Sequence, residues 1–271
     1  MLKNKRVLSD QMYEYFVIGA SGFLGSNCVK YLERDGKRVF KSSARLENFL
    51  DMKSQIAESG ALRVICCAGF KGVSIIDACE KNPEETRKIN YDSMLELIEA
   101  CRGIHLTIMG SGYIYTGSKG VYTEEDEGDL TNLVYSKYKI LLEKKVSSSV
   151  LYLRIMYPSS FDGHPRCFYQ KTLARKGNLH DSRVSITSIP HLFPKLDHMI
   201  SHGYSGIYNF VIDGTVSLQD LVGDDSPTTG TPYGNYELSA EKLKTRFRVI
   251  KNTELLYILQ CGSLLQEGLD S

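Results

Sequence analysis

The chain has 271 residues, 42% of them hydrophobic and 24% charged, with a formal net charge of +1, a size that holds one large domain or a domain with a small appendage. Basic and acidic side chains balance, which leaves no electrostatic footprint for nucleic acid or an anionic membrane, and no apolar run reaches membrane-spanning length. The basic start Lys3, Lys5, Arg6 has no apolar stretch behind it to make a leader, and the seven cysteines lack a C-x-x-C pair, so they read as small buried hydrophobes of a reducing, cytoplasmic compartment.

Tyr15-Phe16-Val17-Ile18 reads as a buried strand, and residues 22–34 carry Phe23, Leu24, Cys28, Tyr31 and Leu32 at helical spacing. A second strand is expected at 37–40, a helix at 50–58 and a third strand at 62–67, which contains Cys66 and Cys67. Asn82-Pro83-Glu84-Glu85 is a helix start, with a cap residue, proline at the first helical position and acids near the positive dipole end. That helix is expected to run to about Arg102. A strand at 104–108, a helix at 134–146 and a strand at 150–153 follow. The alternation predicts an α/β fold, a Rossmann-type doubly wound parallel sheet.

After Arg154 the rhythm breaks. Residues 156–188 read as loops with one helix near 167–175, residues 190–202 as helix and 206–211 as a strand, with a mainly helical C-terminus. The expected division is a dinucleotide-binding domain over 13–155 and a smaller, mainly substrate-binding region over 156–271. Elements near 189–222 are expected to return to the first domain.

Gly19, Gly22 and Gly25 in "VIGASGFLG" fall between the first strand and the first helix, where glycines let the backbone approach a pyrophosphate seated on the helix N-terminus. A tight strand-to-helix turn is the plainer alternative. After the second strand, "FKSSARL" offers Lys41, Ser42, Ser43 and Arg45 instead of the acid that binds ribose hydroxyls in NAD sites. NADPH is therefore preferred, with NADH or a merely solvated basic loop as alternatives. The cofactor set is expected to comprise Gly19, Ser21, Gly22, Phe23, Leu24, Gly25, Ser42, Arg45, Ala68 and Gly69, with Tyr135 and Lys139. No metal ligands are expected.

"VYSKYK" puts Tyr135 and Lys139 four residues apart on one helix face. A neighbouring ammonium helps a phenol to give up its proton, so such a tyrosine can protonate a carbonyl oxygen as hydride reaches the carbon. "MGSGYIYTG" (109–117) brings Ser111 to the same edge of the sheet, where its hydroxyl can bond that oxygen. Ser111, Tyr135 and Lys139 make a keto-reductase set.

With the glycine loop ahead of them, these residues resemble the extended short-chain dehydrogenase/reductases. "GVSIIDACEKNPEETRKIN" (72–90) resembles the dTDP-4-dehydrorhamnose reductases. "EEDEGDLTNLVYSKYKILLEK" (124–144), "LRIMYPSSFDGHPRCFYQK" (153–171), "GIYNFVIDGTVSLQDLV" (206–222) and "YGNYELSAEKLKTRF" (233–247) resemble the bifunctional UDP-4-keto-6-deoxyglucose 3,5-epimerase/4-reductases. The resemblance implies that the glycines hold the cofactor phosphates and that Ser111, Tyr135 and Lys139 reduce a 4-keto group. It also implies that Asn90, Arg154 and the 156–171 segment, including Arg166, shape a UDP- or dTDP-linked 4-keto-6-deoxyhexose site, in a homodimer. From the residues alone, Asn90 could equally bond backbone groups and Arg154 pair with an internal acid.

The sequence departs from the bifunctional pattern at Tyr113, where those enzymes carry a cysteine as base; their partner acid matches Lys171. A neutral tyrosine is a poor base for a carbon acid. Efficient reduction without epimerisation is therefore expected, with Tyr113 lining the sugar pocket. Two alternatives stand beside this. One is 3,5- or 3-epimerisation through an altered base, on the same sugar or a 2-acetamido sugar. The other is a non-catalytic role like that of the regulatory subunit of methionine adenosyltransferase.

Overall fold

The computed structural model describes residues 12–70, 77–146, 149–230 and 235–267. The basic start at Lys3, Lys5 and Arg6 lies outside them, as do 72–76 and 233–234 of the two family-like stretches.

Strict alternation in β1 (Tyr15–Ile18) sets the layers: Tyr15 and Val17 enter one hydrophobic core, Phe16 and Ile18 the other. The remaining strands are β2 (Val39–Lys41), β3 (Arg63–Cys66), β4 (His105–Met109), β5 (Val121–Tyr122), β6 (Val150–Arg154), β7 (Arg183–Val184), β8 (Gly206–Asn209), β9 (Val216–Ser217) and β10 (Glu237–Leu238). Six of them form one parallel sheet in the order β2-β1-β3-β4-β6-β8, while β5 pairs with β10 and β7 with β9. Ile18 aligns with Cys66, Cys66 with Ile108 and Ile108 with Tyr152, so four strands end along one carboxyl edge. The order reverses between β1 and β3, which opens a crevice at that edge.

The helices cover both faces. Cys28, Val29 and Leu32 of α1 (Phe23–Arg34) pack with Tyr15 and Val17, and Met52 and Ile56 of α2 (Phe49–Ser59) pack with Phe16 and Ile18. Tyr15 is a polar-tipped residue in this core, and its hydroxyl is satisfied by Asp197 Oδ1 at 2.5 Å.

The single helix expected over 82–102 is broken. α3 (Asp77–Lys81) precedes α4 (Pro83–Arg87), which has Pro83 at its start as predicted. A wider π turn, Lys88–Asp92, then leads into α5 (Ser93–Ala100). α6 (Val134–Glu143) begins where Glu80 Oε1 accepts the Val134 N–H at 2.7 Å, a cap supplied by α3.

Beyond α7 (Phe168–Leu173), the helix expected over 190–202 is also divided. α8 (Ile189–Leu192) and α9 (Leu196–Ser201) flank a 3-10 turn at Phe193–Lys195, because Pro194 has no N–H for the α-helical ladder. Their apolar residues join the core on the α1 side and β8 completes the sheet. The return to the sheet ends near Val211, earlier than the expected 222. Ile212, Val216, and Leu221 and Val222 of α10 (Leu218–Val222) build a separate core with Leu179, Val184, Ile186 and Leu255. α11 (Glu241–Lys244) and α12 (Asn252–Glu267) close the chain, and no helix of the described residues is long and apolar enough to cross a membrane.

Candidate active site

β1 ends in a glycine cradle. Gly19 has φ +74°, and its carbonyl accepts the Gly22 N–H at 2.9 Å. A Cβ on Gly25 would overlap the Gly19 backbone, and one on Gly19 would lie 3.0 Å from the Ala68 nitrogen. Gly22 precedes α1 and supplies no side-chain cap, so the first N–H groups of the helix are left for a ligand at the crevice. Such a cradle fits a dinucleotide pyrophosphate. Ser21 is exposed at the turn, while the Phe23 ring is buried against His164 and Leu24 packs on the same core. Across the crevice the Cys67 backbone N–H donates to Ile18 O at 3.0 Å, and Ala68 and Gly69 follow.

At the end of β2 the expectation for Ser42 is corrected. Its hydroxyl donates to Gln55 Oε1 of α2 at 3.0 Å and accepts the Ala44 N–H at 3.2 Å, so it ties its loop to that helix. Arg45 is exposed, and Lys41, paired with Glu33 at 2.9 Å, lines an open groove of about 620 Å³ with Ala20, Lys30 and Arg34. Lys30 and Arg34 were not foreseen. Their four-residue spacing on the helix behind the glycine loop was the available signal.

Ser111, Tyr135 and Lys139 converge. β4 delivers Ser111, whose oxygen accepts the Tyr113 N–H at 3.1 Å and whose hydroxyl bonds the Tyr135 phenol. Lys139 lies one turn along α6 with its ammonium 5.6 Å from the centre of the Tyr135 ring. Burial pushes the phenol up to about 12, against the lowering bond from Ser111. Burial also brings the Lys139 ammonium down to about 8. Cys66 and Cys79 face that ammonium and were not anticipated as neighbours; no metal-ligand spacing involves them, and no metal-holding cluster of His, Cys, Asp or Glu occurs among the described residues.

Two expected sugar contacts lie elsewhere. Asn90 is 0% exposed, and its amide accepts the Phe70 N–H at 3.0 Å and donates to the Phe70 carbonyl at 2.6 Å. It clamps the loop after β3 from the π turn, and its Oδ1 lies against Gly69 as the Lys139 Nζ does. Arg154, 1% exposed, is corrected likewise: Glu143 takes Nε at 3.0 Å and Nη2 at 2.8 Å, and Thr123 and Asp126 carbonyls take further donors. The partners of Arg154 lie 11 to 55 residues away and leave no local pattern.

The far wall is tyrosine-rich. Tyr113 is half-buried against the core beside Tyr236, whose hydroxyl donates to Gly112 O at 2.9 Å, and the Tyr113 carbonyl accepts the Ser136 hydroxyl at 2.7 Å. Tyr157 (φ 42°) and Phe161 (φ 57°) hold left-handed conformations in the segment after β6, a strain that concentrates at ligand-facing loops. Lys171 and Arg166 are exposed around α7. Cys167 is fully buried, and its sulfur accepts the Ser160 N–H at 3.3 Å, so it is not presented as a base.

Residues 14–187 match the family model described as the RmlD substrate binding domain. The chain is 28% identical over 269 residues to the bifunctional dTDP-4-dehydrorhamnose 3,5-epimerase/dTDP-4-dehydrorhamnose reductase of Arabidopsis thaliana, covering 88% of this chain and 89% of that protein. It is also 28% identical over 221 residues to a trifunctional UDP-glucose 4,6-dehydratase/UDP-4-keto-6-deoxy-D-glucose 3,5-epimerase/UDP-4-keto-L-rhamnose-reductase of the same plant, covering 77% of this chain and 33% of that longer protein. The fold is similar to that of the UDP-rhamnose synthase of Acanthamoeba polyphaga mimivirus, with TM-score 0.78 at 24% identity, covering 90% of this chain and 99% of that one. It is similar too to the dTDP-4-dehydrorhamnose reductase of Bacillus anthracis solved with NADP, with TM-score 0.75 at 17% identity, covering 90% and 96%.

Proposed function

The chain belongs to the RmlD substrate binding domain family, and from that premise we propose that it is an NADP-dependent oxidoreductase reducing the 4-keto group of a nucleotide-linked 6-deoxyhexose. The observation that carries this reading is the convergence of Ser111, Tyr135 and Lys139 at the carboxyl edge, beside the glycine cradle. A UDP-linked sugar is placed first because two of the similar proteins are named for UDP-rhamnose chemistry.

When bound, the nicotinamide cofactor supplies the hydride. Gly19, Gly22 and Gly25 would receive its phosphates, and the cations after β2, Lys41 and Arg45, would meet a 2′-phosphate, which favours NADPH over NADH. Ser111 and Tyr135 would share the substrate carbonyl oxygen. Tyr135 then gives that oxygen its proton as carbon 4 is reduced, leaving an alcohol and a phenolate. Lys139 carries the positive charge under the ring that stabilises that phenolate.

Epimerisation is the second reading, favoured by the name of the Arabidopsis relative. Tyr113 and the buried Cys167 speak against it, since neither offers a thiolate to the sugar. A reaction in D₂O with NADPH and UDP-4-keto-6-deoxyglucose, read by mass spectrometry and NMR, decides. Turnover only with a pre-epimerised 4-keto sugar, and no deuterium at C3 or C5, is expected of a dedicated reductase. Deuterium at either carbon would establish epimerase chemistry and overturn this reading of Tyr113. No NADPH oxidation with either sugar would overturn the reductase itself.

A further inference from the structure

Behind the reductase set lies a second, buried polar layer. Tyr135, Lys139 and Glu143 follow one another at four-residue steps on α6, hence on one face. Lys139 is 3% and Glu143 8% exposed, both deep for charged side chains. Arg154 grips Glu143 with Nε and Nη2, and turns its other donors outward to the carbonyls of Thr123 and Asp126 and toward Asn209 Oδ1 at 3.5 Å. Both carboxylate oxygens are thus held by Arg154, and Lys139 lies one turn back on the same buried face of α6.

The other groups around Lys139 cannot supply that counter-charge. Cys66 reaches it from β3 and Cys79 from α3, and Tyr135 shares its helix. Burial keeps the Cys66 thiol protonated, up to about 11, and raises Cys79 as well. Among the described residues Glu143 is the one carboxylate whose charge reaches Lys139; its own neighbours are Arg154, Lys139 and the phenols of Tyr115 and Tyr152.

We propose that Glu143 is a positioning residue of the reductase site, acting through Lys139: its buried carboxylate, fixed by Arg154, is the counter-charge that keeps the Lys139 side chain an ammonium beneath Tyr135. The role of Lys139 in turnover rests on the reductase reading above, but the electrostatic coupling does not. The competing explanation is purely structural, with Glu143 and Arg154 stitching α6 to β6 and the 123–126 loop.

Removing Glu143 alone strands Arg154 in the interior and endangers folding. The test therefore compares the wild type, Glu143→Asp, Glu143→Gln and the paired neutral replacement Glu143→Gln/Arg154→Met. One readout is the Lys139 side-chain titration by NMR of ¹³C-lysine-labelled protein, assigned with Lys139→Arg. The other is the pH profile of kcat for NADPH-dependent reduction. Losing the nearby anion disfavours the ammonium, so the Lys139 midpoint moves to lower pH by about one unit in Glu143→Gln and by less in the double variant, which removes the Arg154 cation as well. The alkaline limb of kcat moves with it, while Glu143→Asp stays near the wild type. A folded double variant with the wild-type thermal midpoint and an unmoved Lys139 midpoint would make the pair structural only and overturn the proposal. If the wild type reduces no nucleotide-linked 4-keto sugar, the reductase reading falls, and the NMR midpoints still decide the coupling.

Discussion

The ring of Tyr152 fills the space a side chain at residue 110 would need. A Cβ on Gly110 would fall inside van der Waals contact of ring carbons Cε1 and Cζ. β6 thus dictates a glycine at the end of β4, one residue before Ser111. Gly110→Ala forces the ring or the 110–113 backbone to move. Such overpacking costs about 1–3 kcal/mol, and the shift displaces Ser111 from Tyr135. We expect a thermal midpoint lower by roughly 2–10 °C and a reduced kcat. An unchanged kcat would show that the set tolerates the displacement.

Tyr135→Phe removes the proton donor and keeps the ring above Lys139. The expected loss in kcat is about 10²–10⁴-fold, with NADPH binding by fluorescence titration unaltered. A variant as active as the wild type would assign the proton to another group and revive the non-catalytic reading.

The pH dependence follows from burial. Reduction needs Tyr135 protonated, a condition met up to about 12, and Lys139 charged, a condition met only below about 8 because burial favours its neutral form. The rate is therefore expected to fall as pH rises through about 8. A profile flat to pH 10 would dismiss Lys139 as the titrating group.

Asn90→Ala leaves the Phe70 N–H without its partner and the Phe70 carbonyl with only the weak Cys79 thiol donor. The expected cost is about 1–3 kcal/mol. The neighbouring Gly69, which lies against the Asn90 carbonyl oxygen, loses its support. KM for the cofactor should rise more than KM for the sugar; the opposite split would return Asn90 to the sugar site.

Charge reversal at the β2 end tests cofactor choice. Lys41→Glu combined with Arg45→Glu is expected to raise KM for NADPH about tenfold, the equivalent of roughly 1.4 kcal/mol, and to leave KM for NADH little changed. Equal losses for both cofactors would mean that these cations do not read the 2′-phosphate.

How much of this was legible depends on the range of the interactions. The strands announced themselves because burial on both faces demands unbroken apolar runs such as Tyr15–Ile18. Helix starts with local chemistry, such as Pro83, were readable too. The breaks at Lys88–Asp92 and Phe193–Lys195 were harder to see: the first accompanies a side-chain clamp reaching 20 residues back, and the second turns on the missing N–H of Pro194 inside an otherwise helical pattern.

The sequence by itself determined the alternation of strands and helices, the glycine spacing after β1, and the shared face of Tyr135 and Lys139, because each follows from the period of a single element. Only the tertiary structure decided which polar residues face the crevice and which are used up inside. Ser42, Asn90 and Arg154 looked like ligand contacts, yet each is satisfied by residues 2 to 55 positions away. A buried polar group must find its partner within the fold, and those partners meet only when the sheet closes.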